Sequence, residues 1–128
     1  MKIVSISEDK NIERRVAITP EIAKKYLSFG FEITISENYG DHLGFKDDEY
    51  KNLGVKISNN NNEILESGDI IVQLNLLSDK NLSSLKEGQI LVGVLNPYEN
   101  MNKIKDLIKK KINNFSLELL PRITRAQT

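Results

Sequence analysis

Apolar positions along this chain follow two alternating rhythms. Residues 2–6, KIVSI, form a short strand-like run, and the polar loop SEDKNIERR follows it. TPEIAKKYLSFG, residues 19–30, then carries helix punctuation at both ends. Thr19 can cap the helix, Pro20 fits its first position, Glu21 suits the positive end of the dipole and Gly30 closes it. Ile22, Ala23, Tyr26, Leu27 and Phe29 fall largely on one face at helical spacing. FEITI, residues 31–35, alternates as a strand does.

The same succession repeats. FKDDEYKNLG (45–54) predicts a short helix ending on glycine, and VKI (55–57) a short strand. NNNNEILESG (59–68) reads as a loop plus a helix, then DIIVQL (69–74) as a buried strand. KNLSSLKEG makes a turn and a helical piece before the strand QILVGVL (89–95). NPYEN turns the chain into the amphipathic helix MNKIKDLIKKKIN, and NFSLELL (114–120) is the last strand. Short apolar strands alternating with helices imply a parallel sheet covered on both faces. The predicted fold is α/β: a three-layer sandwich with a mainly parallel sheet, flavodoxin-like or Rossmann-like, with right-handed crossovers.

Composition narrows the function classes. The 128 residues suffice for one domain with a modest core. Lys plus Arg (18) balances Asp plus Glu (18), so no global field recruits nucleic acid or an anionic membrane. With no cysteine, disulfides, thiolate zinc sites and a cysteine nucleophile are excluded, and a reducing compartment is the default. MKIVSISEDK is too short an apolar stretch for a signal peptide, and the longest apolar run is interrupted at Gln73 and Asn75, so no direct membrane insertion is expected.

The glycines, at 30, 40, 44, 54, 68, 88 and 93, make neither G-x-G-x-x-G nor G-x-x-x-x-G-K-[ST]. YGDHLGF (39–45) follows a strand but lacks the glycine spacing of a phosphate cradle and reads as a turn. His42, the single histidine, reads as a solvated loop residue, since a base or metal site needs partners the sequence does not place beside it. The asparagine run 59–62 reads as a solvated loop too. In IERRVAITP (12–20), Arg14 and Arg15 lie where the carboxyl edge of a parallel sheet binds ligands. Composition favours a solvated pair of Glu13 with an arginine over a donor fork aimed into the crevice.

Five stretches in order carry a resemblance: ERRVAITPEIAKKYLSFGFEITI (13–35), GFKDDEYKNLGVKI (44–57), GDIIVQLN (68–75), LKEGQILVGVLNPYEN (85–100) and LELLPRITRAQT (117–128). Together they resemble the N-terminal lobe shared by alanine dehydrogenase and the alpha subunit of proton-translocating NAD(P) transhydrogenase. The last stretch resembles the transhydrogenase and not the dehydrogenase. The departures agree: where the dehydrogenase carries a catalytic lysine and histidine, this chain has Gln73 and Val94. A general acid or base cannot be replaced by these with the chemistry intact. Hydride transfer between nicotinamides needs juxtaposition and no protein base.

The resemblance implies a lobe over residues 1–120 and, over 121–128, the start of a segment joining it to a second lobe with the Gly-rich loop. NAD(H) would lie between the lobes, with Arg122, Ile123, Thr124, Arg125 and Gln127 at the nucleotide and no catalytic or metal-binding residue. It also implies NADP(H) on a partner domain, membrane-embedded and NADP-binding subunits, a homodimer in the complete subunit, and a cytoplasmic place peripheral to the inner membrane. Because the sequence stops at Thr128, before the Gly-rich lobe, the expectation is a fragment inactive by itself. The alternatives are a non-catalytic α/β interaction module or remnant pairing with a transhydrogenase subunit and, less favoured, the substrate lobe of an alanine dehydrogenase relative.

Overall fold

The computed structural model describes residues 1–9, 11, 14–75, 77–94 and 101–116. Six strands, β1 (Lys2–Ser5), β2 (Glu32–Ser36), β3 (Lys56–Ser58), β4 (Ile70–Asn75), β5 (Ile90–Val94) and β6 (Asn113–Ser116), form one sheet in the order β3-β2-β1-β4-β5-β6. Every pairing between these strands is parallel, with Ile3 opposite Ile33 on one side and Ile70 on the other. That order is the Rossmann arrangement and not the flavodoxin one. Helices α1 (Pro20–Ser28), α2 (Asp47–Leu53), α3 (Asn61–Ser67), α4 (Asp79–Leu82) and α5 (Met101–Lys109) occupy the connections.

Local chemistry sets the helix ends. Thr19 accepts a hydrogen bond from the Ile22 amide at 3.2 Å, which satisfies one of the free N–H groups of the first turn of α1. Helix α2 stops because Gly54 takes φ 107°, left-handed backbone that returns its N–H to the carbonyls of the last turn. The asparagine run is exposed, as expected of a solvated segment, and its side chains also hold structure: Asn60 caps α3 by accepting from the Glu63 amide, Asn61 accepts from the buried Ser36 hydroxyl, and Asn62 accepts from Ser84. The last strand is described only to Ser116, so residues 117–120 lie outside the described residues.

Alternation along β1 divides the interior in two. Ile3 joins Val16, Ile18, Ala23, Ile33, Ile35, Tyr39, Tyr50 and Val55 on the face covered by α1 and α2. Val4 points the other way, into a second core with Ile64, Leu65, Ile71, Leu82, Leu85 and Leu91, beneath α3 and α4. Helix, sheet and helix thus make the expected three layers. Gln89, nearly fully buried, ties the second core at the amino edge by donating to the carbonyls of Leu65 and Gly68.

At Gly68 the end of α3 comes close against the central strand. A β-carbon there would lie 2.9 Å from Val4 Cγ1 and closer still to Cγ2. Gly68→Ala is expected to cost about 1–3 kcal/mol through overpacking against the central strand. In a Val4→Ala background that penalty shrinks. Urea unfolding of the four proteins of this cycle measures the coupling.

Candidate site at the carboxyl edge of the sheet

The chain builds outward from β1 to β3, then crosses to β4 and builds the other way, so the strand order reverses between β1 and β4. Open α/β sheets bind ligands in the crevice beyond the strand ends at that point. Here the edge is filled by an internal hydrogen-bond network.

Its hub is Gln73, 1% exposed. Oε1 accepts from the Ile6 amide at 2.7 Å and lies 3.1 Å from Ser5 Oγ, while Nε2 donates to the Ile6 carbonyl at 3.1 Å and to Glu8 Oε2 at 2.8 Å. The single Ser5 hydroxyl proton is directed chiefly at the Val72 carbonyl, 2.6 Å away. The Tyr39 hydroxyl, 2.8 Å from Ser5 Oγ, therefore acts as donor to Ser5 and accepts the Ile18 N–H at 3.1 Å. The Ile18 carbonyl receives the Tyr50 hydroxyl at 2.8 Å. Both polar groups of Ile18 are thus held by phenols, and the two rings meet edge to face at 6.0 Å.

Burial pushes the Tyr39 hydroxyl up to about 12, against the opposing pull of its bonds to Ser5 and Ile18. Burial also raises Tyr50, with further upward pressure from Tyr39, Glu49 and Asp47. Both phenols stay protonated through the physiological range.

His42 is half-buried rather than solvated, which corrects the sequence expectation. Its Nε2 donates to the Arg14 carbonyl at 2.5 Å, contributed from 28 residues away, and Nδ1 is enclosed without a partner among the described residues. His42, Tyr39 and Tyr50 together pin segment 14–18 to the edge. The side chains of Arg14 and Arg15 are both exposed, and Glu13 lies outside the described residues.

The sequence-predicted nucleotide residues Arg122, Ile123, Thr124, Arg125 and Gln127 also lie outside the described residues. Sequence reasoning missed Ser5, Glu8, Tyr39 and Tyr50. Ser5 and Glu8 had one signal, polarity inside or beside an apolar strand run, whereas Tyr39 read as part of a turn and Tyr50 as a helix residue. No group of three or more His, Asp or Glu able to hold a metal occurs among the described residues, and none of their helices is long and apolar enough to cross a membrane.

The model of the alanine dehydrogenase/PNT N-terminal domain family matches residues 5–128. The chain belongs to this family. It is 43% identical over 131 residues to an NAD(P) transhydrogenase alpha-subunit polypeptide of Rickettsia prowazekii (strain Madrid E), covering 99% of this chain and 34% of that protein. The crystal structure of the transhydrogenase from Sinorhizobium meliloti matches with a TM-score of 0.88 and 30% identity, over 98% of this chain and 37% of that one. An L-alanine dehydrogenase matches at TM-score 0.84 and 20% identity, over 91% of this chain and 32% of that one, which speaks to the fold alone. The chain spans about a third of the length of these relatives.

Among alanine dehydrogenase/PNT N-terminal domains, this one has a carboxyl edge whose stability should titrate at high pH. Tyr39 holds its proton to about 12 when folded but only to 10.0 when unfolded. Its contribution is complete below about pH 10 and is lost as pH rises through about 12, because the unfolded chain releases the proton first. Denaturant midpoints followed across that window should fall. Tyr39→Phe should make the fall shallower, with Tyr50 supplying the remainder. At neutral pH the same substitution strands the buried Ile18 N–H and costs about 1–3 kcal/mol.

Proposed function

We propose that this chain is the N-terminal lobe of a proton-translocating NAD(P) transhydrogenase alpha subunit, contributing to the NAD(H) site for hydride transfer between NAD(H) and NADP(H). The observation that carries this reading over amino-acid dehydrogenation is Gln73. At the position where the dehydrogenase resemblance implies a catalytic lysine stands a buried amide with both ends engaged internally. An amide so placed accepts no proton from a substrate and is closed to one. The identity with transhydrogenase alpha subunits along nearly the whole chain supports the same choice.

In this reading the edge network makes β1, β4 and segment 14–18 one rigid body, and residues 121–128 begin the inter-lobe segment. Arg122 and Arg125 would offer guanidinium donors to phosphate or carboxamide oxygens, and Gln127 a donor and an acceptor to ribose or carboxamide. Ile123 and Thr124 would line the same stretch. A Gly-rich lobe would hold the pyrophosphate on backbone N–H groups and a helix dipole. NAD(H) supplies the hydride, and NADP(H) on a partner domain receives or returns it. The remaining partners would be the membrane-embedded subunits and a second copy of the complete subunit, which would place the lobe on the cytoplasmic side of the inner membrane.

The test is the complete subunit assembled with its membrane-embedded and NADP-binding partners, assayed for hydride transfer from NADH to an oxidised NADP analogue. Arg122→Ala and Gln127→Ala should each lower kcat/KM by about ten- to a hundredfold, the worth of a lost charge-assisted hydrogen bond or a well-placed neutral one. Unchanged rates in both variants would sink the site assignment. NAD⁺ reduction with L-alanine as donor would overturn the choice of reaction. Residues 1–128 alone should bind NADH weakly or undetectably, having no Gly-rich loop, and tight saturable binding in calorimetry would count against the division of labour between lobes.

A further inference from the structure

One anion already sits at the switch point. Strand β4 continues to Asn75, whereas β1 ends at Ser5, and β1 pairs with β4 through Ile3 opposite Ile70 and Val4 opposite Ile71. Past the end of β1 the Leu74 N–H is met by Glu8 Oε2 at 2.9 Å. The same oxygen takes a second donor, Gln73 Nε2, at 2.8 Å. Two N–H groups therefore converge on one carboxylate oxygen at the place where open α/β sheets hold their ligands.

The donors do not depend on Glu8 for their direction. Leu74 N–H belongs to the sheet backbone, and the Gln73 amide is fixed by the Ile6 N–H, the Ile6 carbonyl and Ser5 Oγ. Removing the Glu8 side chain would leave both N–H groups in place and unmet, at the end of a buried network. These bonds are part-buried, so the donors are only partly open to water, and an oriented pair of this kind is suited to a carboxylate. A carboxylate on the chain itself has a high effective concentration and excludes free anions of the same kind.

We propose that Glu8 is a built-in occupant of a small-carboxylate subsite at the β1–β4 switch point, and that the subsite accepts a free carboxylate once Glu8 is removed. The lobe thereby closes its own edge to small organic acids. This inference does not rest on the hydride-transfer reading, because its test is binding and not turnover.

The test uses the full-length protein with acetate as the probe, titrated against chloride at constant ionic strength, with nitrogen-labelled leucine to report the Leu74 amide. In Glu8→Ala, acetate should bind saturably and about tenfold or more tighter than in the unsubstituted protein, moving the Leu74 resonance and raising the melting temperature. Glu8→Gln removes the charge but keeps an oxygen in the cradle, so acetate should bind it no better than the unsubstituted protein. Equal acetate binding by Glu8→Ala and the unsubstituted protein would overturn the proposal and leave Glu8 as a strand-end cap. Equal gains in Glu8→Ala and Glu8→Gln would overturn it too, since the effect would then be net charge. Should Glu8→Ala be unfolded in chloride, acetate must restore the folded state, and failure to do so is also decisive against it.

Discussion

The Ile18 peptide is the constraint on which the carboxyl edge depends. Ile18 is fully buried, so its N–H and C=O have no water to bond to and must find partners inside the protein. Two phenol hydroxyls meet them, Tyr39 taking the N–H and Tyr50 giving a proton to the carbonyl. Tyr39 can accept from Ile18 and still donate only because Ser5 offers an oxygen, and Ser5 passes its own proton to Val72. Each step fixes the direction of the next. The chain of donors therefore couples the loop before α1 to β1 and β4, and the preference of both phenols for the neutral form follows from the same burial.

Two glutamines do related work at opposite edges of the sheet. Gln73 joins β1 to β4 at the carboxyl edge, and Gln89 gathers the Leu65 and Gly68 carbonyls at the amino edge, where α3 ends. Each sits in or beside an apolar strand, and each is buried. Glutamine suits this place because one uncharged side chain both donates and accepts without the desolvation cost of a charge. A lysine at position 73 would bring an ammonium into the network, and the Ile6 N–H would lose its acceptor.

Much of the fold was legible in the sequence because its signals are local. Thr19 and Pro20 announce α1 and Gly54 ends α2, since capping and left-handed backbone are decided within a few residues. The choice between the Rossmann and flavodoxin orders was not legible, because pairing β1 with β4 joins residues 67 apart and no nearby residue encodes it. The site was less legible than the fold. Tyr39 read as part of a turn and Tyr50 as a helix residue, and their hydroxyls acquire meaning only when Ile18 arrives between them. His42 read as solvated because its partner, the Arg14 carbonyl, is distant in sequence. Gln73 was noticed as a break in an apolar run and as a departure from a catalytic lysine. That every polar atom of its side chain is engaged is a tertiary fact.

A saturated edge changes what this lobe can contribute chemically. In an enzyme that moves protons to and from a substrate, side chains at the strand ends must keep a lone pair or a proton available, and that availability costs stability. Hydride transfer between two nicotinamides makes no such demand, since the reacting atoms belong to the cofactors and the protein supplies distance and orientation. Gln73, Ser5 and Tyr39 can then direct all their hydrogen bonds at one another and at the backbone around them. Under the proposed hydride-transfer reading, rigidity at the edge is what the reaction would need from its neighbours, and a network that leaves none of these three groups open to a substrate would supply it.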